Sequence, residues 1–139
     1  MEIYFAAPVT NRISNINLYS RIIKCLSRYG TVLNEKIGDK NFWKKRKRGN
    51  FSKRKTHDFD LKLLLKSEVV VAEISTSSLG VGYEIGRAIE RKKPVLVLYN
   101  ATVEKKLSPM ITGSSDVVSH SYKTFADIEM IIDEFFNSL

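Results

Sequence analysis

The sequence predicts a single α/β domain in which a doubly wound sheet of about five parallel strands is covered by helices on both faces. Three observations lead there. Apolar, strand-like runs alternate with amphipathic segments from one end of the chain to the other, the pattern that builds a parallel sheet with helical crossovers. The run VVVAEI at 69–74 has a continuous apolar centre, as suits a strand buried on both sides. At 139 residues the chain can bury about two thirds of the surface that its unfolded form exposes, enough for one core without staples.

The elements follow in order. IYFA at 3–6 reads as the first strand, and Asn15 as the cap of a helix whose apolar face uses Leu18, Ile22, Leu26 and Tyr29 before Gly30 ends it. Thr31 to Leu33 is a short second strand. Residues 34–52 lack periodicity and carry much charge, so an exposed basic loop is expected at about 36–55. A helix resumes near His57 with Leu61, Leu64 and Leu65 on its buried face, and SEVVVAEI supplies a central third strand. YEIGRAIERKK is the next helix, PVLVLY the fourth strand, SPMIT a helical turn and DVVSHS the fifth strand. Thr124 then caps a last helix through FADIEMIIDEFF. Neither an internal repeat nor a second domain is visible.

The formal charge of +8 has a local origin. Residues 44–55, KKRKRGNFSKRK, hold eight of the 23 basic residues and no acidic one; 23 less 8 leaves 15 basic residues against 15 acidic in the remainder. A nucleic-acid-binding face spread over the domain is therefore not indicated, although the loop itself offers a polyanion site, a nuclear-import signal in the clusters Lys44 to Arg48 and Lys53 to Lys55, or merely a solvated surface. Phe42, Trp43 and Phe51 interleave with the charges and are candidates for stacking on bases or for packing the loop onto the domain. Cys25 is the only cysteine, and His57 and His120 are far apart, so neither a disulfide framework nor a zinc site is expected. The first apolar stretch ends at Pro8, too short for a signal peptide, and no run approaches membrane-spanning length. A chain without cofactor or metal, in the cytoplasm or nucleus, is the expectation.

The stretch SSLGVGYEIG at 77–86 carries the chemistry. Its glycines, Gly80, Gly82 and Gly86, are spaced G-x-G-x-x-x-G after the third strand, so the dinucleotide fingerprint fails, and no Gly-Lys-Ser/Thr follows to make a phosphate-binding Walker loop. The turn still offers backbone N–H groups and the hydroxyls of Ser77 and Ser78 to an anion. Glu84, expected in the first helical turn where the helix N-terminus favours its ionised form, is either a helix-stabilising acid or a catalyst. Asp58 and Asp60, in the segment leading into the same central strand, are candidates for the second carboxylate that glycosidic cleavage commonly uses. His57, three residues before Asp60, could contact the site, but a helix-start histidine is more often structural, and it is left out of the candidate set.

With IYFA, YGTVLNE, HDFDL, SEVVVAEISTSSLGVGYEIGRAI and LSPMITGSSD, the chain resembles the nucleoside 2-deoxyribosyltransferase superfamily, and most of all its 2'-deoxynucleoside 5'-monophosphate N-glycosidase (Rcl-type) branch. The matching segments cover most of the chain outside the basic stretch. The resemblance implies a Rossmann-like, flavodoxin-like sheet. It implies Glu84 as the nucleophile at the anomeric carbon, Asp60 as the carboxylate that assists departure of the base, and Tyr4 as the residue positioning carboxylate and sugar. Substrate binding would fall to Ser78, Gly80, Gly82, Ser108, Met110 and Arg12. Ser108, lent to the neighbouring subunit's site, implies a homodimer acting on a deoxynucleotide.

The first loop departs from the branch's pattern. AAPVTNR stands where the monophosphate hydrolases have a Gly-Ser-Ile-Arg-Gly-Gly-like anion turn: Pro8, which has no N–H to give, replaces the serine, and Thr10 takes the arginine's place, leaving Arg12 as the nearby cation. An AAP turn is also reminiscent of the transferases that act on free nucleosides. Base exchange on deoxynucleosides is one alternative; a non-catalytic nucleotide or nucleic-acid module using the basic loop is another.

Overall fold

The computed structural model describes residues 1–8, 12–48 and 52–139. Five strands, β1 (Glu2–Ala6), β2 (Thr31–Val32), β3 (Val69–Glu73), β4 (Val95–Asn100) and β5 (Val118–Tyr122), form one parallel sheet in the order β2-β1-β3-β4-β5. Among the described residues six α-helices connect or follow them, besides 3₁₀ turns: α1 (Arg12–Leu26), α2 (Lys40–Arg48), α3 (Lys53–Lys66), α4 (Leu79–Glu90), α5 (Pro109–Thr112) and α6 (Phe125–Asn137). The strand order is the flavodoxin-like one, and it turns back on itself at β1, so the crevice between the carboxyl ends of β1 and β3 is where such a sheet takes a ligand.

Strand alternation divides the core in two. Ile3, Phe5, Val69, Val71, Leu96 and Leu98 pack beneath α1 and α6, while Tyr4, Ala6, Val70, Ala72, Val95 and Val97 pack beneath α3 and α4. Every residue of β3 is buried, as a central strand covered on both faces requires. At its end Glu73, fully buried on the α1/α6 side, accepts hydrogen bonds from Tyr122 Oη at 3.0 Å and from Ser75, and burial raises its pKa. Thr124 caps α6 in a capping box with Asp127, as its sequence position predicts.

Three local expectations change. Asn15 lies inside α1, which begins at Arg12, rather than at its cap. Leu65 is exposed, and Leu64 with the partly buried Leu61 and Leu63 forms the inner face of α3. The stretch expected as a loop contains a 3₁₀ turn at Glu35–Gly38 and the helix α2, and α3 begins already at Lys53. Only Phe42 and Trp43 are apolar in α2, too few for a periodic signal, but Trp43 is buried and its Nε1 donates to the carbonyl of Ile37 at 2.8 Å, which ties the helix to the preceding 3₁₀ turn. Phe51 lies outside the described residues, as do the side chains of Arg46, Lys47 and Arg48.

Gly30 owes its identity to close approach. A Cβ there would run into the carbonyl of Met1, which accepts the bond from Thr31 N at 2.9 Å that aligns β2 with β1. Gly30→Ala should therefore cost about 1–3 kcal/mol, as overpacking does, read from the urea midpoint at unchanged slope.

Candidate active site

Tyr4 is a phenol set among the buried apolar residues of the α3/α4 side of the core. It is 2 % exposed, and a hydroxyl so deep needs a partner. It finds one across the crevice: Tyr4 Oη donates to Glu84 Oε1 at 2.8 Å. Glu84 reaches this point because α4 starts at Leu79, earlier than the sequence suggests, with Ser78 as its cap. The carboxyl is thus the sixth residue of the helix, beyond the first turn whose free N–H groups would favour its charge. Its pKa moves the opposite way from that expectation. Burial raises it from 4.5 to about 7; the hydrogen bond from Tyr4 opposes the rise, and the negative charge of Asp60 adds to it.

Asp60 and Glu84 belong to neighbouring helices, α3 and α4, packed against each other on the same face of the sheet. Both line one cavity of about 530 Å³, within the range of small-molecule sites, which run from about 300 to 1,000 Å³. Tyr4 forms part of its floor. Phe42, Trp43, Phe59 and Leu63 supply an apolar wall, and Glu35 and Lys36 stand on the β2 side. A sugar at the carboxyls with a flat base against the aromatic wall fits this distribution of polar and apolar groups.

The other expected binding residues are elsewhere. Ser78, Gly82, Ser108 and Met110 line a second cleft of about 590 Å³ that shares no lining residue with the first. Ser78 Oγ accepts from Val81 N at 3.3 Å, and Ser108 Oγ caps the short α5 through Met110 N at 3.2 Å, so each keeps its proton to donate. Gly80 lies beside Ser78 in the first turn of α4 and lines neither cleft. Above Gly82 nothing lies within 4 Å of an added Cβ. Thr10 and the side chain of Arg12 lie outside the described residues.

The sequence profile of the nucleoside 2-deoxyribosyltransferase family matches residues 3–135. The chain belongs to that family. Over 140 residues it is 34 % identical to the 5-hydroxymethyl-dUMP N-hydrolase of Tetraodon nigroviridis, covering 99 % of both chains. With the enzyme of that name from Danio rerio it shares 35 % identity over 141 residues, 100 % of this chain and 98 % of the relative. The fold matches that of a 2-deoxyribosyltransferase from Bacillus psychrosaccharolyticus with a TM-score of 0.66 at 19 % identity, over 93 % of this chain and 90 % of that one. Among the described residues no helix is long and apolar enough to cross a membrane.

One group of site-adjacent residues had no sequence signal. His57 is not an isolated helix-start residue: its ring joins Asp58 at 2.9 Å and Tyr83 at 3.0 Å, and Arg87 Nη1 donates to Tyr83 Oη at 2.6 Å. Twenty-six positions separate His57 from Tyr83, and neither periodicity nor motif spacing connects them.

The raised carboxyl has a consequence for stability. A pKa higher in the folded than in the unfolded chain means tighter proton binding when folded, so the contribution of Glu84 is fully present below about 4.5 and is lost as pH rises through about 7. Glu84→Gln, which keeps an acceptor for Tyr4 and never ionises, should be about 2 kcal/mol more stable than wild type at pH 8 and no more stable at pH 4. Urea unfolding at the two pH values reads the difference.

Proposed function

We propose that this protein hydrolyses the N-glycosidic bond of 2'-deoxynucleoside 5'-monophosphates to free base and 2-deoxyribose 5-phosphate, with Glu84 as nucleophile. The observation that carries the reading is the half-buried Glu84 carboxyl held by Tyr4 at 2.8 Å in a cavity that Asp60 also lines. Membership of the family over nearly the whole chain, and relatives named as N-hydrolases of a deoxynucleotide, support the same reaction here.

In this mechanism a Glu84 oxygen attacks C1' and the bond to the base nitrogen breaks, its electron pair leaving with the base. A 2'-deoxyribosyl centre lacks the electron-withdrawing 2'-hydroxyl, so the oxocarbenium-like transition state forms comparatively easily and a carboxylate can trap it. Water then attacks C1' of the glycosyl-enzyme. Its hydroxyl stays on the sugar, its remaining proton balances the one taken up by the base, and Glu84 is released. Asp60 handles that proton on the base side. Tyr4 holds the attacking carboxylate and, by donating to it, keeps its pKa from rising further.

The 5'-phosphate falls to the second cleft and a second copy of the chain. Leu79 and Met110 there are 96 % and 81 % exposed, an apolar surface suited to a symmetric partner. In a dimer, Ser108 of one copy with Ser78 and Arg12 of the other would supply hydroxyl and guanidinium donors to a dianion. Pro8 favours one competing reading, base exchange on free deoxynucleosides, because it removes an N–H from the loop that would otherwise meet the phosphate.

Incubation with matched deoxynucleotides and deoxynucleosides, following free base, should show release from the monophosphates and a loss of about 10³-fold or more in Glu84→Ala. Absence of free base from every substrate would end the proposal, and a new nucleoside on adding a second base would favour transfer. Because Glu84 must be ionised to attack, kcat/KM should rise with pH through a midpoint of about 7. Removing the Tyr4 hydroxyl in Tyr4→Phe should move that midpoint up, and Asp60→Asn should move it down.

A further inference from the structure

We propose that His57 and Tyr83 form a clasp between α3 and α4 that sets the separation of Asp60 and Glu84, making both positioning residues for the N-glycosidic site. The inference rests on the reading of that site given above, and it adds two residues that do not line the cavity of the two carboxyls.

The geometry is a chain of polar contacts across the outer edge of the helix pair. Asp58 Oδ1 lies 2.9 Å from His57 Nδ1, and because a carboxylate only accepts, the proton on that side belongs to the ring nitrogen. In the neutral ring Nε2 is then an acceptor, 3.0 Å from Tyr83 Oη. Arg87 Nη1 donates to the same phenol oxygen at 2.6 Å, which leaves the phenol's own proton for His57. Arg54 Nε stands 3.7 Å from the far oxygen of Asp58. Each member thus has a defined role, and the connection survives protonation of the ring, since the phenol oxygen can accept from both Arg87 and a protonated Nε2.

The position of the clasp gives it leverage. His57 precedes Asp60 by three residues on α3, which places the two about one helical turn apart, and Tyr83 immediately precedes Glu84 on α4. The contact therefore fixes two helices next to the residues whose spacing the reaction uses. Tyr83 is 44 % exposed and the His57 side chain 49 %, so the contact adds little net stability, as exposed hydrogen bonds do. Its effect is geometric. A slackened pair lets Asp60 drift from Glu84 and lets more water reach the half-buried carboxyl, and both changes lower the Glu84 midpoint toward the ordinary carboxylate range. Tyr4 from β1, the other group acting on that carboxyl, is left in place by changes in the clasp, and Glu35 and Lys36 face the same cavity from the β2 side.

The test is a small variant set read in two ways, by turnover of a deoxynucleoside monophosphate and by the pH midpoint of the Glu84 carboxyl followed by carbon NMR in the resting protein. Tyr83→Phe and His57→Ala should each lower kcat about tenfold with KM changed less than about twofold, since small misplacements of reacting groups act on the chemical step. Both should lower the Glu84 midpoint. The double variant should be no worse than either single one, and His57→Gln, which retains an acceptor for the phenol, should recover most of the loss. Wild-type kcat and an unmoved midpoint in Tyr83→Phe would overturn the proposal, as would His57→Gln behaving like His57→Ala. If the wild-type protein turns over no nucleotide, the N-glycosidase reading falls, and the midpoint alone decides the clasp: lowered in Tyr83→Phe, it stands; unmoved, it fails.

Discussion

A carboxyl taken out of water beside a second carboxyl must be given a reason to stay, and in this protein the bond from Tyr4 Oη to Glu84 supplies it. The bond joins the innermost layer, β1, to a helix that begins 75 residues later. It can form only if β1 and β3 are neighbours, if Tyr4 faces the α3/α4 side, and if α4 starts early enough to bring its second turn over the sheet. Register, strand alternation and helix capping all converge on it. Ser78, by fixing the first residue of α4, thereby contributes to where Glu84 stands.

The two carboxyls at the working end of β3 illustrate how burial is used differently on the two faces. Glu73 is fully enclosed on the α1/α6 side and tied to Tyr122 and Ser75, so it serves cohesion between β3 and β5. Glu84 is half-buried on the other side and borders a cavity, so its carboxyl, unlike that of Glu73, can be reached by a ligand. One acid at the end of β3 is thus sealed into the core, and the other, on the helix that follows, faces a cavity.

Much of this was legible in the chain. VVVAEI announces a central strand because burial on both faces leaves no polar position, and Thr124 with Asp127 announces a helix start because the capping groups are local. The family signature gathered Tyr4, Asp60 and Glu84, and the structure places them around one cavity. What failed depended on distance in sequence. Helix α2 was hidden because a single buried tryptophan bonded to Ile37 holds it, not a periodic stripe. The direction of the Glu84 shift was misjudged because the helix start is four residues earlier than its apolar pattern suggests, and because the enclosing groups come from three separate elements. The His57–Tyr83 contact joins two helices through exposed polar atoms, which hydrophobic patterns do not encode.

The attachment of α2 has one more consequence. Tyr4, Asp60 and Glu84 are brought together from β1, α3 and α4, whereas the apolar wall is shared between Phe59 and Leu63 of α3 and Phe42 and Trp43 of α2, the latter helix tied to Ile37 through the Trp43 ring. The α2 half of that wall lies outside the sheet, so its side chains can change without altering the strand pairing on which the carboxyls rely. One half of the cavity wall is in this sense free to diverge while the arrangement of Tyr4, Asp60 and Glu84 is kept.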